Sequence, residues 1–467
     1  MTEYRRPRKR SVGVAGGAHL ALLMVAVTLV SAVSLPAVGS GAMGSFAPSH
    51  AVALGRPPGN AARTIAETSS TGPAPLGTIA TIGVDSQPYG LAYDNSTDLL
   101  YVVNSGSNDV TVIRGFTVIA TVPVGSGPNY AVYDASDGDV YVGNTLDNTV
   151  SVIHGTSVVA TVPTGAYPFR LVYDAENSYV YVLDQLSENL TVIQGTSVVG
   201  AVAVGPGPIA ATCDPRTGDL WVTTHADAAV LVRQLSVVTT IPVGRDPQSV
   251  SYVPETGGVY VANTESNSVS VLNLTSVVAT IGVGSYPIEL AYSSLQGYLY
   301  VANYYSANVS VVGGLAVVAT LPVGAYPNAM AFDAGDGYGF VANAHSDNLS
   351  VIRGTSTVGS IAVGAEPVSV VYAPSTGYLY VANYGEGTVT VLGPSPASGL
   401  PTWAYASAIA LLFSAAAAIM IGVERRRRET QLPRSRTEVG PTRTETQKDP
   451  SAIEQAREDP DPHPGAP

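Results

Sequence analysis

A phrase of forty residues is written eight times along this chain, and that repetition narrows the available folds more than any other feature. Each copy is anchored by a proline: Pro88, Pro128, Pro168, Pro208, Pro247, Pro287, Pro327 and Pro367, at spacings of 40, 40, 40, 39, 40, 40 and 40 residues. Thirteen residues after each proline an aromatic–Val pair opens a four-letter motif: YVVN, YVGN, YVLD, WVTT, YVAN, YVAN, FVAN and YVAN. A period near forty that is rich in short strands is the signature of propeller blades. One such unit cannot bury its own apolar faces, so the copies must stack and close.

A single repeat predicts four antiparallel strands. Pro168 opens an inner strand through Leu171 and Tyr173, and Asp174 to Asn177 make a turn. A second strand runs from Tyr179 to Leu183, a polar loop spans Gln185 to Asn189, and a third strand covers Leu190 to Ile193. Gln194 and Gly195 form a hairpin into the outer strand from Ser197. β-branched content and turn residues carry this assignment. Proline lacks an N–H and so suits a strand start. The first strand-like segment, Gly77 to Val84, has no blade before it, and the last repeat ends without an outer strand. The leftover strand is expected to complete the last blade, giving a closed all-β propeller of eight four-stranded blades and no free edge between the ends. The single 39-residue spacing is placed in the hairpin near Arg233 and Gln234. The motif-ending Asn is expected to be structural, bonding nearby backbone and tolerating left-handed dihedrals where the strand meets its loop.

These motifs resemble the YVTN-repeat β-propellers, including surface-layer-type and YncE-like proteins. The resemblance covers about Gly77 to Leu392 and rests on YVVN, YVGN, YVAN, the PxxxxxY element and the VxATxxVG outer strand. It implies a propeller, often of seven blades in that family where this chain carries eight motifs. It also implies envelope or cell-surface interaction modules, with enzymes among related propellers, so fold alone does not assign function.

Charge and hydropathy patterning frame the repeats. Between residues 76 and 393 there are six arginines, no lysine and about four times as many acids as arginines, a balance that repels nucleic acid and anionic headgroups. Residues 1–42 carry a basic stretch (Arg5, Arg6, Arg8, Lys9, Arg10) and an apolar run, the pattern of a signal peptide or signal anchor. Residues 43–75 read as a disordered linker and 394–402 as a short tether. Residues 403–423 are apolar and uncharged over a length that crosses a bilayer. Arg425 to Arg428 follow, which places them in the cytoplasm and the propeller outside the cell. Residues 424–467 read as a disordered cytoplasmic tail.

The chemistry is sparse. Cys213 is the one cysteine and stands where seven other repeats place an aromatic, which argues for a core substitution. His154, His225 and His345 occupy different repeat positions, so no metal centre is expected, and no cofactor motif occurs. Asp94, Asp134, Asp174, Asp214 and Asp333 recur after the inner strand and read as turn formers. The informative residues are unrepeated ones in repeated positions. The pre-proline position holds Gln87, Gly127, Tyr167, Gly207, Asp246, Tyr286, Tyr326 and Glu366, a ring expected at one channel mouth. Tyr167, Tyr286, Tyr326, Asp246 and Glu366, with Arg170, Arg245, Tyr304, Tyr305 and Tyr384, are the candidate residues for a protein or glycan partner. Sequons at Asn95, Asn189, Asn273, Asn308 and Asn348 are candidate glycosylation sites. The leading expectation is a membrane-anchored surface interaction, adhesion or surface-layer scaffold module. The alternative is a propeller enzyme of lactonase or lyase type with its site at the channel mouth.

Overall fold

The computed structural model describes residues 76–394, which form thirty-two strands in eight four-stranded antiparallel sheets. The expected signal segment, linker, tether, apolar span and tail lie outside the described residues, apart from Pro394, which ends the last strand. Among the described residues no helix is long and apolar enough to cross a membrane.

Strands are numbered from β1 (Leu76–Gly83) to β32 (Thr388–Pro394), and blades 1 to 8 by their anchor prolines. Blade 1 shows the plan: β2 (Pro88–Asp94), β3 (Leu99–Asn104), β4 (Asp109–Arg114) and β5 (Thr117–Pro123), innermost to outermost. The other inner strands are β6 (Pro128–Asp134), β10 (Pro168–Asp174), β14 (Pro208–Asp214), β18 (Pro247–Val253), β22 (Pro287–Ser293), β26 (Pro327–Phe332) and β30 (Pro367–Ala373). Each packs against the next, and β30 packs back on β2, so the ring is closed. Closure occurs as the repeat count requires: β1 pairs with β32 in the sheet of blade 8, from Leu76 opposite Pro394 to Gly83 opposite Thr388.

The core is not a single centre but eight apolar seams, one between each pair of neighbouring blades. Both faces of a middle strand must therefore be apolar, and all six residues of β3 are buried. The motif aromatic adds a polar clamp to its seam. The Tyr101 hydroxyl donates to the Gly155 carbonyl of the next blade (2.9 Å), and Tyr141, Tyr260 and Tyr300 repeat the bond to Gly195, Gly314 and Gly354. A tyrosine therefore gives both apolar area and a satisfied hydroxyl.

The motif-ending Asn is structural, though by a different contact from the expected one. It is fully buried as the last strand residue, and it is not left-handed. In blade 6, Asn303 Nδ2 donates to Asn308 Oδ1 (2.8 Å) and Ser310 Oγ (2.9 Å). Its amide presses against the preceding loop, where a Cβ on Gly284 would lie 2.6 Å from Asn303 Cγ, so that glycine is required. The left-handed residue is instead the fourth of the following loop: Asn108, Asn148, Glu188, Asn267, Ala307, Asp347 and Gly387 all have positive φ. The missing residue of the short repeat also lies here. The loop after Thr224 has three residues before β16 (Ala228–Arg233), whereas the hairpin pairing Arg233 with Ser236 matches Arg114 with Thr117. A loop that leaves and re-enters one sheet tolerates a deletion better than a two-residue hairpin, whose length sets strand register.

The turn acids behave as expected. Asp94, Asp134, Asp174, Asp214 and Asp333 each accept the N–H two residues on, at 2.7 to 3.1 Å. Cys213 is half-buried among the apolar residues of the seam between blades 3 and 4, and burial pushes its thiol well up, away from reactivity.

Candidate functional site

The loops before the inner strands and after the second strands meet on one face. The Tyr304 N–H donates to the Tyr286 carbonyl (2.9 Å) and the Thr264 N–H to the Asp246 carbonyl (2.9 Å). On this face all eight pre-proline residues are left-handed, including Tyr167 (φ 62°), Tyr286 (φ 60°) and Tyr326 (φ 57°). A bulky residue in that region is strained, and Gly127 and Gly207 show what the backbone would accept more readily. The conformation is held from the preceding blade: Asn148 Oδ1 accepts the Tyr167 N–H and Asn267 Oδ1 the Tyr286 N–H, both at 2.9 Å.

The ten candidate residues separate into three groups. Tyr286, Tyr304, Tyr305 and Tyr326 converge over blades 6 and 7 with His345. Ring centroids lie 4.5 Å apart for Tyr286–Tyr305, 4.6 Å for Tyr304–Tyr326 and 4.1 Å for Tyr326–His345. Tyr305 remains 60% exposed. Burial raises the Tyr286 hydroxyl to about 12, with Asp246 and its tyrosine neighbours adding to the effect, so it stays a neutral donor. A second aromatic line runs from Tyr384 through Tyr89, Tyr130 and Phe169 to Tyr167, with successive centroids 6.3, 5.4, 5.9 and 6.4 Å apart. Arg170 sits inside this line rather than on the rim, its guanidinium 5.0 Å from the Tyr130 ring centroid.

Of the acids among these pre-proline residues, Asp246 has side-chain partners. Asp246 accepts from Gln248 Nε2 (2.7 Å) and lies 3.8 Å from His225 Nδ1. Arg245 is exposed and pairs with Glu265 (3.1 Å). The Glu366 N–H is held by Asp347 Oδ1 (3.0 Å). Of the sequons, Asn95 and Asn273 are exposed, whereas Asn189, Asn308 and Asn348 are half-buried at strand starts. Asn308 and Asn348 accept from Asn303 and Asn343 at 2.8 Å. Asn273 caps its own turn through Thr275 and Ser276.

Glu289 escaped the sequence reading. It stands on β22, two residues after its proline, and burial pushes its carboxyl up to about 7 against the pull of Arg170. Comparing that position across repeats would have found it, because only Arg170 and Glu289 are charged there. Among the described residues no group of three or more His, Cys, Asp or Glu gathers as a metal site. Grooves of about 460 and 520 Å³ lie where outer strands part, at Pro123–Thr161 and Pro242–Thr280. They occupy equivalent positions of different blades, lined by Pro, Gly, Val, Ser and Thr with one acid, Asp147, so they are clefts of the architecture.

No family model and no curated protein matched the chain. Several solved structures are similar to it. A dihydro-heme d1 dehydrogenase, NirN, in complex with DHE superposes at TM-score 0.55 and 17% identity, over 68% of this chain and 76% of that one. A streptogramin B lyase gives 0.47 and 11% over 68% and 97%. The WD40 β-propeller domain of Doa1 gives 0.48 and 12% over 69% and 98%. At these identities the likeness is one of fold.

Proposed function

We propose that this chain is a membrane-anchored, cell-surface interaction module of the YVTN-repeat type, whose propeller engages a partner through the face bearing Tyr286, Tyr304, Tyr305, Tyr326 and His345. The observation that carries this reading is the strained tyrosine pair at its centre. Tyr286 and Tyr326 hold left-handed backbones at a cost of about 1 kcal/mol each, yet they project rings into a cluster that leaves Tyr305 largely in water. Aromatic clusters of low side-chain entropy are the usual anchors of protein interfaces, and they also stack on sugars. A protein of the cell envelope is the first partner in this reading and a glycan the second. The outer strands add apolar surface on free sheet edges, as at Val158, Val159, Val237 and Val238, which suits association into an extended layer. The apolar segment 403–423 and its following arginines supply the anchor in this proposal.

The test is cross-linking on intact cells with mass spectrometry of the joined peptides, comparing wild type with Tyr305→Ser and with Tyr286→Gly/Tyr326→Gly. The glycine pair relieves backbone strain, so it is expected to melt no lower than wild type while losing the cross-links from this face. Cross-links that persist in the folded glycine pair would refute the assignment. The second reading, a lactonase- or lyase-type enzyme, draws on one feature only, the charges of Arg170 and Glu289 at an inner-strand position that is uncharged in the other six blades.

A further inference from the structure

The tyrosine cluster lies on the face where the loops before the inner strands meet those after the second strands. The opposite face is built from the turns that end the inner strands and the hairpins that enter the outer strands. Both ends of the described segment leave on this second face. β1 and β32 run antiparallel, with Leu76 opposite Pro394 and Gly83 opposite Thr388. The Val84 N–H donates to the Gly387 carbonyl (2.9 Å) in the loops of the tyrosine face, so Leu76 and Pro394 stand at the other one.

Apolar residues are unevenly spread over that second face. The two tip residues of the hairpin are Gly–Thr in blades 2, 3 and 7. Blades 4, 5 and 6 place a leucine there instead: Leu235, Leu274 and Leu315, which are 37%, 58% and 57% exposed. Phe116 holds the tip of blade 1, but its ring lies against Tyr378, with centroids 5.4 Å apart. Leu295, in the inner-strand turn of blade 6, is 53% exposed where the other blades have a polar residue or glycine. Single exposed leucines are ordinary, whereas four in three neighbouring blades make a patch.

Charge follows the same division. The inner-strand turns and hairpins of blades 1 to 3 hold seven acids and one arginine, and those of blades 4 to 6 hold three acids and two arginines. Both of these arginines are paired, Arg216 with Asp214 (3.3 Å) and Arg233 with Asp219 (2.6 Å). The leucine-bearing sector is therefore close to neutral, and in blade 6 neither segment carries a charge.

We infer that the sector of blades 4 to 6 on this face rests on the membrane that anchors the chain, with its leucines entering the headgroup layer. This inference rests on the proposed reading of 403–423 as the membrane span. Residues 395–402 reach at most about 30 Å even when fully extended, so the face that carries Pro394 is held near the bilayer. Leucines held there meet lipid at high effective concentration, and contacts too weak to recruit a free protein then suffice. A near-neutral sector also escapes the repulsion that acidic blades 1 to 3 meet at anionic headgroups. Attachment at blade 8 through the tether and at blades 4 to 6 through leucine turns the tyrosine face away from the bilayer, toward its partner. The Asn273 sequon sits beside Leu274, so in this orientation it carries no glycan. Its side chain already accepts the Thr275 and Ser276 N–H groups, both at 2.8 Å.

The experiment places the full chain in phosphatidylcholine vesicles that contain a diazirine-bearing phosphatidylcholine. Flotation scores anchoring, and mass spectrometry after irradiation maps the lipid adducts. Adducts are expected on 403–423 and on the hairpins of blades 4 to 6, and not around Tyr305. Leu274→Asp/Leu315→Asp is expected to float like wild type and to lose hairpin adducts about fivefold or more, because a carboxylate resists leaving water. Leu274→Gln/Leu315→Gln serves if the aspartate pair does not fold. The two readings fail separately. A chain that does not float removes the anchor and this inference with it, whereas a floating chain with adducts on 403–423 alone overturns only this inference. It is equally overturned by adducts spread over both faces, or by hairpin adducts unchanged in a folded aspartate pair. Cross-links between copies through these leucines in place of lipid adducts, or a glycan on Asn273 of the native protein, would also overturn it.

Discussion

Asp184→Asn is expected to stabilise the propeller, and the size of the gain should depend on pH. Asp184 occupies the motif-ending position that six other blades fill with Asn, and it is fully buried. Burial pushes its carboxyl from an ordinary 3.8 up to about 6, with the Thr191 and Gly165 contacts partly offsetting this. Thr191 donates to Asp184 Oδ2 (2.6 Å), but Asp184 Oδ1 has no partner, and neither does Asn189 Oδ1 nearby. A Cβ on Gly165 would lie within 2.7 Å of Asp184 Oδ2 and 2.8 Å of Asn189 Oδ1, so two acceptors crowd one space. In blade 6 the equivalent amide donates across that space, Asn303 Nδ2 to Asn308 Oδ1 at 2.8 Å. A folded-state value above the unfolded one means that the folded chain holds the proton more tightly. The native protein therefore loses stability as pH rises from 3.8 to 6, and the full penalty persists above that window. At 1.36 kcal/mol per pKa unit the penalty is about 3 kcal/mol at pH 8. Thermal melts of wild type and Asp184→Asn at pH 8 and pH 4.5 read this directly. A gain of several degrees is expected at pH 8, shrinking at pH 4.5 by about 2 kcal/mol, to what the new hydrogen bond contributes plus the roughly 1 kcal/mol of penalty already present there. A variant that melts lower at pH 8, or a gain of the same size at both pH values, would refute the reasoning.

The converse change, Asn303→Ala, removes the donor to Asn308 and Ser310 and leaves the half-buried Asn308 Oδ1 without it. A loss of about 1–2 kcal/mol in denaturant unfolding is expected, against little loss for Thr224→Ala in blade 4, where Ala228 and Val230 stand in place of the two acceptors. Deleting residues 76–83 removes β1, exposes the edge of β32 and opens blade 8, so a lower melting temperature with association in sedimentation is expected. A monodisperse product with unchanged melting would refute closure by this strand.

The sequence by itself determined the architecture because a repeat repeats its physics. Eight anchor prolines, eight aromatic–Val motifs and one unpartnered strand at each end leave closure as the way to bury the apolar faces of every blade. The Asp turns and the Cys213 substitution were legible for the same reason, since each is a local choice compared against seven copies. Tertiary structure decided what copies do to one another. The seam clamp from Tyr101 to Gly155 lies between blades, and so does the cap from Asn148 that holds Tyr167 left-handed. The motif Asn pressed against a glycine nineteen residues earlier is likewise a contact that no single repeat displays. The grouping of the candidate residues was set in the same way. Tyr286 and Tyr326 meet through Tyr304 and Tyr305 because adjacent blades bring their loops together, while Arg170 leaves the rim because its strand turns it inward.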